Sequence, residues 1–76
     1  METEDLTFWL SWCIEEYAAA KNILSVEIAD TFEKKGVLSY LADNADILHT
    51  QGKNYILDSI DGYMKNHPHP PIASRF

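Results

Sequence analysis

Apolar positions set the first element of this chain. Leu6, Trp9, Leu10, Cys13, Tyr17, Ala20 and Leu24 recur at i, i+3, i+4 and i+7, spacing that stacks side chains along one side of a helix. The pattern predicts a helix from Leu6 to Asn22, with Asp5 as its N-cap and Glu2 and Glu4 where negative charge favours a helix N-terminus. At about 100° per residue, Phe8, Trp12 and Ala19 project from nearly the opposite side, with Glu15 and Glu16 beside them. The first helix therefore carries two apolar faces.

A second helix is predicted over Val26 to Lys35. Ser25 is placed to cap it, Glu27 lies in its first turn, Lys34 and Lys35 lie in its last, and Gly36 can adopt the left-handed conformation that ends helices. Ile28, Ala29 and Phe32 form its inward edge. Val37, Leu38, Leu41, Ala45 and Leu48 continue a helical stripe across Asp43, Asn44 and Asp46. The side chains of those three polar residues compete for the backbone, which predicts a bend near Asn44. A last helix starts at Gly52 or Lys53 and turns Ile56, Leu57, Ile60, Tyr63 and Met64 inward until Asn66. Gly62 inside it costs about 1 kcal/mol against Ala, tolerable if another backbone packs closely there. The run His67-Pro-His-Pro-Pro71 cannot continue a helix, because proline lacks an amide donor and disfavours helical geometry in the residue before it.

These elements predict an all-α fold: a compact single-domain bundle of four to five short helices over residues 1–66, followed by a proline-rich extended tail over residues 67–76. The first helix is expected to pack on the last, with the middle ones closing the core. Ile72 and Phe76 of the tail are one candidate cover for Phe8 and Trp12; a partner protein is the other.

Length and charge narrow the function. A chain of 76 residues has room for one core, whose net stability is limited to a few kcal/mol. Its 46% hydrophobic content is too high for a disordered segment. A net charge of -6 repels a phosphate backbone, so nucleic acid is a poor partner. A helix-turn-helix autoregulator, the alternative that the Gly36 turn invites, would need Arg, Lys, Asn or Gln on its reading helix, whereas Val37 to Asp46 offers Asn44 and two acids. The acidic N-terminus does not resemble a secretory signal, and no segment approaches the roughly 20 apolar residues of a membrane span. The expected location is the cytoplasm, where a lone cysteine stays reduced.

Candidate chemistry is sparse. Cys13 sits on the main apolar stripe, where a thiol is desolvated and poorly nucleophilic. His49 lies at a junction between helices, within reach of a neighbouring carbonyl or of Asp58, and reads as structural. His67 and His69 fall short of the four-ligand spacing of a structural zinc site. Glu15 with Glu16, and Asp58 with Asp61, read as solvated helix faces. No catalytic residue, metal ligand or cofactor is therefore expected, and the chain reads as a binding protein rather than an enzyme.

The strings Trp12-Cys-Ile-Glu-Glu-Tyr17, Phe32-Glu-Lys-Lys-Gly-Val37 and Leu48-His-Thr-Gln-Gly52, with Tyr55-Ile56 and Asp58 to Tyr63, resemble a family of short uncharacterised bacterial proteins catalogued as a numbered domain of unknown function. The resemblance spans roughly Phe8 to Met64. It implies a gene neighbour that resembles an ADP-ribosyltransferase, in an arrangement similar to a toxin and antitoxin operon, and assigns no catalytic residue. With the second apolar face and the negative charge, it leads to an expectation of a small acidic protein-binding module, antitoxin-like, that masks a partner enzyme. Phe8 and Trp12 would be its apolar anchors, and Glu15 and Glu16 would face basic residues of the partner. Homodimerisation through the same face is the competing expectation.

Overall fold

A computed structural model describes residues 2–66. Five helices follow one another: α1 (Thr3–Lys21), α2 (Ser25–Lys34), α3 (Val37–Asp43), α4 (Ala45–Leu48) and α5 (Lys53–Asn66). The bundle is all-α, as the periodicity predicts, and no strand occurs among the described residues. The tail over 67–76, with its histidines and the Ile72 and Phe76 cover, lies outside the described residues.

Helix α1 starts three residues earlier than its apolar stripe suggests. Asp5 is therefore in the first turn instead of capping it, and Glu2 occupies the cap position with no side-chain capping bond. Acidic Glu4 and Asp5 still lie where the N-terminal end of the macrodipole favours them. At the other end Asn22 adopts a left-handed conformation, φ 58° and ψ 46°. Its amide donates to the Ala19 carbonyl at 3.3 Å and that of Ile23 to the Ala18 carbonyl at 3.0 Å, the paired bonds of a Schellman ending. This early stop takes Leu24 off the helical stripe, and Leu24 and Ala20 are exposed where the pattern placed them inward. The buried face consists of Trp9, Cys13, Tyr17 and Ala18.

Ser25 does not cap α2. Leu24 takes that position, its carbonyl accepting from the amides of Glu27 at 3.0 Å and Ile28 at 3.1 Å. The Ser25 hydroxyl instead donates to Glu15 Oε1 at 2.7 Å. Gly36 ends the segment with φ 77°, a conformation that costs a side-chain-bearing residue about 1–2 kcal/mol. The break at Asn44 falls where the polar cluster predicts it. Its amide and its side-chain Nδ2 both donate to the Tyr40 carbonyl, at 3.1 Å and 2.8 Å, so the side chain competes for the helix's own acceptor. The chain then restarts as the single turn α4.

Helix α3 is the hub, touching α1, α2, α4 and α5, and its Val37 and Leu41 are wholly buried with Phe32, Cys13 and Ile60. Tyr17 packs on Phe32 with ring centroids 5.2 Å apart, joining α1 to α2. Tyr40 stacks on Tyr63 at 4.4 Å, joining α3 to α5. Packing of the first helix on the last is fixed by polar contacts. The Tyr17 hydroxyl donates to Asp61 Oδ1 at 2.6 Å and Lys21 Nζ to Asp61 Oδ2 at 3.1 Å, while Lys53 pairs with Glu16 at 3.5 Å. Gly62 has no close neighbour: a Cβ there would meet nothing within 4 Å. The expectation that another backbone approaches it does not hold.

Candidate functional site

Trp9 and Trp12, one turn apart on α1, have different environments. Trp9 is buried, and its indole Nε1 donates to the Leu41 carbonyl at 2.8 Å. Leu41 is among the last residues of α3, where carbonyls lack donors within their own helix. The interruption at Asn44 thus leaves an acceptor that the indole of another helix satisfies. Trp12 lies against Trp9, with ring centroids 6.0 Å apart and planes 12° from parallel. It is 37% exposed, and Phe8, one turn earlier, is 76% exposed. The described part of the chain leaves both on the surface.

These three rings line a cleft of about 470 Å³ together with Asp5, Asp46 and His49. The α1 contributors, Asp5, Phe8, Trp9 and Trp12, share one face by their spacing of three, four and seven residues. The opposite wall comes from α4 and the turn after it. His49 is held there by two hydrogen bonds to one acceptor: its backbone amide and its ring Nδ1 lie 3.0 Å and 2.7 Å from the Ala45 carbonyl. A carbonyl only accepts, so the ring proton is on Nδ1 and Nε2 is the remaining polar ring atom. The neighbouring-carbonyl bond expected of His49 is the one it makes.

Of the predicted anchor residues, Phe8 and Trp12 come together at this cleft. Glu15 and Glu16 do not line it; Glu15 accepts from Ser25 and Glu16 pairs with Lys53. The carboxylates beside the rings are Asp5 and Asp46. Asp5 was legible as a neighbour of Phe8 and Trp12 from helical spacing, whereas nothing local connects Asp46 and His49 to that face.

Chemically reactive groups lie elsewhere. Cys13 is wholly buried and burial pushes its thiol up to about 12, so it stays protonated at neutral pH. Tyr17 is pushed up by burial, by donating its hydrogen bond to Asp61 and by that residue's charge. Partial burial pushes the Asp61 carboxyl up, but the hydrogen bonds from Tyr17 and Lys21 and the Lys21 charge outweigh it and hold it below the usual carboxylate range. Among the described residues no three His, Cys, Asp or Glu side chains are grouped to hold a metal ion, and no helix is long and apolar enough to cross a membrane.

No curated protein and no solved structure matches this chain. Residues 8–67 match the family described as "Protein of unknown function (DUF3791)", a stretch that takes in the aromatic face of α1, the Gly36 turn, the break at Asn44 and all of α5. By that match the chain belongs to the DUF3791 family.

Proposed function

We propose that this chain is a small acidic protein-binding module, antitoxin-like, that masks a partner enzyme through the cleft face of α1 rather than catalysing a reaction. One observation carries the reading: Phe8 and Trp12 remain on the surface beside a buried Trp9. Large aromatics that a small core leaves outside are the residue type that anchors interfaces, and the carboxylates around them suit a basic partner surface. The partner suggested by the family resemblance is an ADP-ribosyltransferase-like enzyme. Binding rather than catalysis is favoured because the one thiol is buried away from the cleft and His49 has its Nδ1 committed to a main-chain carbonyl.

Co-expression with the product of the adjacent gene, followed by co-purification, tests this. The expected result is a stable complex that Trp12→Ala weakens by at least tenfold, a substitution that spares the core. Absence of a complex, or a complex indifferent to Trp12→Ala, would remove the reading. A homodimer in light scattering that Trp12→Ala converts to monomer would assign the face to self-association instead.

A further inference from the structure

The cleft joins rings to hydrogen-bonding groups: Phe8, Trp9 and Trp12 line it with Asp5, Asp46 and His49. Trp9 is anchored on the Leu41 carbonyl, and Trp12 rests against it nearly parallel, so the aromatic surface is rigid. Rigid, aromatic-lined grooves are the sites that receive polyproline II segments, which lose little entropy on docking because they are ordered beforehand. The carbonyls of such a segment have no internal hydrogen bonds and accept from indole N–H donors. Trp9 donates to Leu41, which gives that role to Trp12. His49 holds its Nδ1 on the Ala45 carbonyl, so its Nε2 is an acceptor for the few amides that a proline-rich segment keeps. Asp46 takes part in another interaction and is needed here only as a wall.

The sequence supplies such a segment. Residues 67–76 begin with His67-Pro-His-Pro-Pro71 and continue through Ile72 to Arg75 and Phe76. They carry Arg75 and no acidic side chain, whereas all twelve acids lie in the first 66 residues, so the charges are complementary. The reach is sufficient. Tyr63, in the last turn of α5, stacks on Tyr40, and the next residue, Leu41, accepts from Trp9. Ten residues in polyproline II span about 31 Å, close to the 33 Å longest extent of the bundle. We propose that the cleft is a polyproline-recognition site whose occupant is this chain's own segment from Pro68 to Ile72, with Pro70, Pro71 and Ile72 on the Phe8 and Trp12 rings. The consequence rests on the protein-binding reading: a partner that takes the cleft face must displace the segment.

Trp9 and Trp12 are the only tryptophans in the sequence, and Trp9 is buried, so acrylamide quenching of tryptophan emission reports cover over Trp12. The test compares the natural full chain with a full-length variant carrying Pro70→Gly, Pro71→Gly and Ile72→Gly. The variant is expected to quench about twofold more steeply, a difference that Trp12→Phe in both chains removes. A peptide of residues 67–76 should restore protection to the variant saturably. It should bind the variant at least about threefold more tightly than the natural chain, where the tethered copy competes. Far-UV circular dichroism checks that the variant, altered only outside the helices, stays folded. Equal quenching of the two chains overturns the proposal, as does a difference that survives Trp12→Phe. So does a peptide that binds both chains equally or neither. Protection that disappears on dilution, with a dimer in light scattering that the variant loses, would seat the segment in a second copy and overturn the assignment to its own chain. If the chains quench alike while the Trp12-dependent complex forms, only the tail contact falls. If quenching differs and no complex forms, the masking function falls and the polyproline site stands.

Discussion

Replacing each tryptophan by phenylalanine should separate the core from the cleft. Trp9→Phe removes the indole donor that lies 2.8 Å from the Leu41 carbonyl in a buried position. That carbonyl is left without its partner, at about 1–3 kcal/mol. The lost ring atoms add a small void at about 1 kcal/mol. The combined loss, about 2–4 kcal/mol, is large against the few kcal/mol available to a core of this size. Trp12→Phe keeps an aromatic ring beside Trp9 and removes atoms from a side chain already 37% exposed, so its cost should stay below about 1 kcal/mol. Urea unfolding followed by far-UV circular dichroism, which does not depend on the fluorophores being replaced, gives both values as shifts in midpoint at constant slope. If Trp12→Phe destabilises as much as Trp9→Phe, then Trp12 is core and its availability to a partner is refuted. If Trp9→Phe costs less than about 1 kcal/mol, the Leu41 bond does not contribute as argued.

Three further outcomes follow from the same packing. Gly62→Ala should stabilise the protein by about 0.5–1 kcal/mol, because its Cβ meets nothing in the middle of α5, whereas Gly36→Ala should destabilise it by about 1–2 kcal/mol through its left-handed φ; opposite shifts in thermal midpoint check both. Asp61 is held below its unfolded value, so its contribution is present above about pH 4 and lost as pH falls through the folded value; an acid titration of stability should show Asp61→Asn less stable near neutrality and equal to the natural chain in strong acid. Partial exposure of the Lys21–Asp61 pair limits that difference to about 1 kcal/mol or less. Cys13 is raised to about 12 in the folded chain, so its contribution is complete below the unfolded thiol value and lost as pH rises from there toward the folded one. Native protein should therefore resist thiol reagents until urea opens it, and rapid labelling of folded protein would contradict the burial of the thiol.

The family match adds no chemistry, so the proposed function rests on the surface. Protein recognition of this kind needs a rigid anchor with solvent access, and Trp12 against a hydrogen-bonded Trp9 meets that requirement. The acids first expected to surround it, Glu15 and Glu16, are instead held within the chain's own bundle.

Helix existence, the turn at Gly36 and the break at Asn44 were all determined by residues within about one turn of the feature concerned, through spacing, backbone freedom and side-chain competition for carbonyls. The buried residues of α2, α3 and α5 followed from the same spacing. Ser25 and Leu24 departed from the pattern because α1 ends at an Asn22 cap, which redirects the chain before α2. The cleft was different in kind. Asp46 and His49 face Asp5, Phe8 and Trp12 only because α4 restarts after the break and packs beside the N-terminal half of α1. The Trp9 bond to Leu41 likewise joins residues 32 positions apart. Local periodicity tells which side of a helix is apolar, but only the close packing of several helices decides how much of that apolar surface a small core encloses.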